Sequence, residues 1–227
     1  MGFRFCFKFP KRISHEHRLR NVREELANVF RTFTSLAERL GPLFLQLSAA
    51  FAPNDLPALN EFLRALPPDF RYAVEVRHPT FFSGGDAEAR LDETLRTHRT
   101  ARVVFDTTTL FASTAHDPDT QEAQRKKPHV PFRDTVTTDF AMVRFVGELE
   151  DVRNQVPLQD WAERVSGWLR QGITPWFFVH TPADHSAPQL ARTFHHLLRQ
   201  LVPTLPALAE FPSEQAPTET SSQLSLF

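Results

Sequence analysis

Seven polar side chains sit at or near the ends of short apolar runs, where core packing alone would favour none. They are Lys8 in FRFCFKF, Gln46 in PLFLQL, Glu75 and Arg77 in RYAVEVR, Asp106 in RVVFD, Arg144 in FAMVRFVG and His180 in PWFFVH. Glu75 and Arg77 are two residues apart, so on a strand they face one side. If that side is the interior of a barrel, one mouth gathers Lys8, Arg77 and Arg144 with Glu75, Asp106 and His180. Three cations in a partly desolvated cup are costly unless carboxylates or an anionic ligand balance them. The set therefore suits a ligand bearing phosphate or carboxylate, with Glu75, Asp106 and His180 as candidate catalytic groups. Glu75 or Asp106 would act as general base or as ligand to a divalent metal. The plainer reading is a network of salt bridges that binds nothing.

Other chemistry finds less support. His78 follows Arg77, precedes Pro79 and opens a loop, where a lone histidine is usually structural. The HEH triplet at 15–17 is not a metal site on a helix, because neighbours at i and i+2 diverge. No G-x-S-x-G elbow, G-x-G-x-x-G turn or P-loop is present. Cys6 is the single cysteine, so no internal disulfide can form, and a reducing compartment is expected.

The six runs, at 3–9, 42–47, 71–77, 102–106, 140–147 and 175–180, have the composition of strands. Between them, apolar residues recur at threes and fours. Leu19, Val22, Leu26, Val29, Phe33, Leu36 and Leu40 predict a helix capped by Ser14 and ended by Gly41-Pro42. Shorter helices are predicted after Asp55 and Asp86, a longer one through Trp161 and Trp168 to Gly172, and a last one through Leu190 and Leu201. Strand–helix alternation predicts parallel strands with right-handed crossovers, in a doubly wound sheet or a (β/α) barrel. The long connection 107–139 would lie at the carboxyl ends of the strands, where barrel active sites are built.

At 227 residues, with 41% hydrophobic and 23% charged, the chain can bury a large core. A net charge of −1 supplies no global field for nucleic acid, so any such role needs a local basic site or a tether. Neither a signal peptide nor a membrane span is visible, and a cytoplasmic protein is expected.

FRFCFKFPKRISHEHRL, LGPLFLQL, YAVEVRHPTFF, VVFDTT, FAMVRFVG and WFFVHTPADHSAPQLARTF together resemble the YecE-like family, domain of unknown function 72. The likeness spans residues 3–198 and implies a TIM-barrel-like fold without implying an activity. It also places Lys8, Gln46, Glu75, Arg77, His78, Asp106 and Arg144 on the family's recurrent polar positions. Met142 and Val146 stand where relatives often carry tyrosine and histidine. Relatives usually have two further strand–helix units ahead of FRFCFKF. The expected fold is accordingly an α/β, TIM-barrel-like (β/α) barrel with the last six of eight strand–helix units. An upstream start, a fragment or completion by another chain would each account for this.

The barrel domain is placed at 1–203 and a tail at 204–227. The tail is rich in Pro, Ser, Thr and Glu and is expected to be disordered after Phe211. It ends in QLSLF, which resembles the bacterial sliding-clamp-binding peptide at Gln223, Leu224, Ser225, Leu226 and Phe227. Gln223 would hydrogen-bond and the three apolar residues would fill a cleft on the clamp; the alternative is docking onto the protein's own body. Three functions remain open at this point. They are an enzyme acting on nucleic-acid phosphodiesters at the clamp, an enzyme on a small anionic metabolite such as a sugar phosphate, and a non-catalytic interaction module.

Overall fold

A computed structural model describes residues 3–209 and 211. All six expected strands form: β1 (Phe5–Lys8), β2 (Leu40–Gln46), β3 (Tyr72–Glu75), β4 (Ala101–Asp106), β5 (Phe140–Val146) and β6 (Thr174–His180). They pair in sequence order, every pair parallel, as a curved six-stranded sheet. This is an open, incomplete TIM-barrel-like fold. The helices α1 (Arg23–Thr34), α2 (Leu56–Arg64), α3 (Asp86–Thr97), α4 (Thr108–Ala112), α5 (Pro118–Lys126), α6 (Asp151–Arg170) and α7 (Ala187–Leu201) connect successive strands or follow the last.

Period-two alternation divides each strand between two cores. Ala73, Ala101, Val103, Phe140 and Met142 pack inside the curve with Cys6, Phe44, Trp176 and Phe178. Outside it, Leu43, Leu45 and Val74 pack with Leu59, Phe62 and Leu91, while Val104, Val143 and Phe145 pack with Trp161, Val165 and Phe194. The interior is bridged across the opening. A Cβ on Gly41 would lie 2.7 Å from the Cys6 sulfur and 2.8 Å from the Trp176 ring, so β6 reaches β1 and β2 through side chains.

That contact revises one expectation. Gly41 lies inside β2, not at a helix end, and it is needed for close approach rather than for a left-handed cap. The predicted first helix is also shorter. Ser14 is buried within a turn of π-helix at Arg12–Glu16 and caps nothing. Arg18, Leu19 and Asn21 then take positive φ, which breaks any helix before α1. The connection 107–139 contains α4 and α5. Beyond α7, Leu205 packs with the outer core and the Pro206 carbonyl accepts from His195, so the described chain stays on α7 past residue 203. No helix among the described residues is long and apolar enough to cross a membrane.

Candidate functional site: a cationic cup at the strand ends

Glu75 is the keystone of the mouth. It ends β3, pairs in register with Gln46 of β2, and is fully buried. One carboxylate oxygen accepts from Nε of Arg77 at 2.7 Å, and the other accepts from a terminal guanidinium nitrogen of Arg144 on β5. The guanidinium groups rest on an aromatic floor. The Arg77 and Arg144 carbons lie 5.6 and 5.4 Å from the Phe105 ring centre, and Arg144 also covers Phe44 at 5.6 Å. Ring and carboxylate together fix both forks. Only 20% of the Arg77 side chain and 14% of the Arg144 side chain reach solvent.

His180 stands beside Arg144, with its Nε2 3.4 Å from Nε and 3.3 Å from a terminal nitrogen. Arginine can only donate, so Nε2 accepts and the ring proton belongs on Nδ1, which is 4.0 Å from Asp184. Burial, then the charges of Arg144 and Lys127, push the His180 pKa down to about 4. The imidazole is thus neutral at neutral pH.

The lysines report the same field. Lys8 on β1 is lowered by burial and then by Arg144 and Arg77, with Glu75 opposing. Lys127, just past α5, is lowered by burial and then by Arg144 and Arg77, with Asp184 and Glu75 opposing. His15, in the π-helical turn, is lowered by burial and by Lys11, Arg77 and Lys8. Burial is the larger cause for both lysines, and the two arginines add to it.

The structure therefore brings together Lys8, Glu75, Arg77, Arg144 and His180, with Gln46 half-buried beside Glu75. It does not bring in Asp106. Phe105 takes the inward position, so Asp106 turns outward under α6, accepting from the Trp161 indole at 2.8 Å and the Thr108 amide at 2.9 Å. There it lines an outer cleft of about 310 Å³ with Thr109, Trp161 and Arg164. His78 spends its Nδ1 on the Thr80 amide at 3.3 Å and lays its ring edge-on to Phe81, so it caps its loop. Lys11, His15 and Lys127 were not singled out as site residues. The basic runs PKR and RKKP at the ends of β1 and α5 are the signal that marks the two lysines. Among the described residues no three His, Cys, Asp or Glu side chains gather as a metal-ligand group. Both Glu75 oxygens are already taken by guanidinium groups. Residues 223–227 lie outside the described residues.

An open (β/α) barrel with a cationic cup at the carboxyl ends of its strands is the class that fold and site define. The chain belongs to the DUF72 family: the family described as "Protein of unknown function DUF72" matches residues 1–216. It is 38% identical over 214 residues to the UPF0759 protein YecE of Escherichia coli K12, covering 94% of this chain and 78% of that protein. The YecE protein of E. coli O157:H7 matches to the same extent. Two crystal structures of a DUF72 family protein from Enterococcus faecalis V583 share the fold at 16% identity. Their TM-scores are 0.61 and 0.60, over 87% and 89% of this chain and 74% and 79% of theirs.

Proposed function

We propose that the cup binds a phosphate-bearing ligand, and that residues 223–227 bring the protein to a bacterial sliding clamp, so that this phosphate belongs to nucleic acid. The observation that carries the first half is the Glu75 bridge. One carboxylate is shared by two guanidinium groups, and Lys8 and Lys127 lie near enough to feel both arginines. Planar forks with fixed orientation suit tetrahedral oxyanions, which accept parallel N–H bonds. With both oxygens engaged, Glu75 supports the arginines rather than abstracting protons. His180, neutral, likewise spends its accepting Nε2 on Arg144 and so helps to orient that arginine. The second half rests on the QLSLF sequence and on the basic rim, which suits a backbone of phosphodiesters.

A small anionic metabolite is the competing ligand. The depth of Arg77 and Arg144 favours it, since a polymer must enter the mouth to reach them. Calorimetry with the full chain separates the two. A single-stranded oligonucleotide that binds, and purified clamp that binds only when residues 223–227 are present, would support the nucleic-acid reading. Binding of sugar phosphates with neither oligonucleotide nor clamp would replace it with the metabolite reading.

A further inference from the structure

A carboxylate that meets one guanidinium often takes two parallel N–H bonds from it. Glu75 does not, because its oxygens are divided. Oε1 accepts from Arg77 Nε at 2.7 Å, and Oε2 accepts from a terminal nitrogen of Arg144. Each arginine gives the carboxylate one nitrogen and must find partners for the others elsewhere. Arg144 finds them within the fold. Its Nε and its second terminal nitrogen lie 3.4 and 3.3 Å from Nε2 of His180, whose lone pair they share. Its guanidinium carbon also lies over two rings, Phe105 at 5.4 Å and Phe44 at 5.6 Å.

Arg77 is held differently. Only its Nε is bonded, and only the Phe105 ring lies under its guanidinium carbon, at 5.6 Å. Among the described residues its two terminal nitrogens donate to no acceptor, although only 20% of the side chain reaches solvent. Polar groups taken that far out of water normally have a partner. The two terminal nitrogens of a guanidinium lie side by side in one plane, and they match a group that presents two oxygens together, as a phosphate or a carboxylate does. Building on the phosphate reading above, we propose that Arg77 is the arginine that holds the anion, end-on through both terminal nitrogens. Arg144 belongs with Glu75 and His180 to the frame that aims it.

The test is titration calorimetry of the full chain at constant ionic strength, with pyrophosphate and malonate as probes. It compares the wild type with Arg77→Lys, Arg77→Met and Arg144→Lys, after a melting curve has shown each to be folded. Arg77→Lys keeps the charge but loses the fork, so pyrophosphate affinity should fall about tenfold, the worth of one charge-assisted bond. Arg77→Met loses the charge and both bonds, and the fall should reach about 100-fold or more. Arg144→Lys still offers Glu75 a cation, so it should lower the melting temperature while weakening pyrophosphate by about threefold or less. Nitrogen-15 NMR of arginine side chains in the wild type needs no substitution: pyrophosphate should shift the terminal N–H signals of Arg77 more than those of Arg144. Equal pyrophosphate affinity in wild type and Arg77→Lys, or a larger loss in Arg144→Lys than in Arg77→Lys, overturns the role given to Arg77 and leaves the phosphate reading standing. Malonate bound in place of pyrophosphate, and lost in Arg77→Met, supports that role while replacing phosphate with carboxylate. Binding of neither probe by the wild type overturns both.

Discussion

Glu75→Gln isolates the charge on which the mouth is built. The substitution keeps volume but removes the negative charge between Arg77 and Arg144 and turns one accepting oxygen into an NH2 donor that faces a guanidinium, at a site where Glu75 has no exposure at all. Breaking a buried ion pair from one side costs about 3–5 kcal/mol, because the partner charge stays behind. Here the abandoned guanidinium groups retain 20% and 14% exposure, so water takes part of the load and about 3 kcal/mol is expected. For a chain of this size that lowers Tm by about 6–12 °C, while the protein remains folded at room temperature. Pyrophosphate should then stabilise the variant more than the wild type, since the ligand supplies the charge that was removed. Differential scanning fluorimetry with and without ligand reads both effects. Removing Arg144 as well, as Arg144→Met, should recover part of the loss, because no unpaired charge is left. A Tm within about 1 °C of wild type would show that the bridge is not the keystone. A large loss that pyrophosphate repairs no better than in the wild type would refute the anion-cup argument itself.

Three further outcomes follow from the geometry. The His180 pKa drops from 6.5 to about 4 on folding, so between those values the unfolded chain binds a proton that the folded chain excludes. Stability should therefore fall by about 2–3 kcal/mol as pH drops through that window, and denaturation of His180→Asn should lack this component. Arg102→Met removes a side chain only 1% exposed that bonds Asp92 at 2.8 Å and the Phe81 carbonyl at 2.6 Å and pairs with Glu88 at 3.0 Å. It should cost about 3–5 kcal/mol in urea denaturation, and adding Asp92→Leu should return part of that. Gly41→Ala forces a methyl group onto Cys6 and Trp176, with an expected loss of about 1–3 kcal/mol. An unchanged melting temperature would mean that β6 can swing away from β1 and β2.

The barrel was legible because its strands are short apolar runs with polar ends, and all six formed at those runs. The Glu75–Arg77–Arg144 cluster was legible for the same reason: a spacing of two keeps Glu75 and Arg77 on one face, and the strand end sets the level. Counting by two within β4 would also have placed Asp106 opposite Val103 and Phe105. A residue that ends a strand belongs to the mouth only if it shares the inward face. Lys127 and His15 were not legible, since their positions depend on α5 and on a π-helical turn that apolar periodicity does not encode. The first helix was misjudged because Leu19 and Val22 continue its apolar repeat. Arg18, Leu19 and Asn21, at positive φ, turn the backbone instead, and both apolar side chains reach the core from a loop.

That loop and the cup raise the same question about cost. Left-handed backbone at a non-glycine residue costs about 1–2 kcal/mol, and here three such residues lie within four positions. The turn is held by Arg18, which bonds Asp55 at 2.6 Å and the Ala50 carbonyl at 3.2 Å. The segment it steers is the one that carries Lys11 and His15 to a rim already crowded by Lys8 and Arg77. Backbone strain and unbalanced charge thus fall at one end of the barrel, while the other strand levels are filled with apolar side chains. Selection for stability alone would extend that apolar filling upward, because a well-packed hydrophobic layer is at least as stable as a buried ion network. A salt-bridge network that bound nothing would also tend towards neutrality, whereas here two guanidinium groups share the one carboxylate of Glu75. The excess positive charge, rather than any single residue, is what argues that the cup is built around an anion.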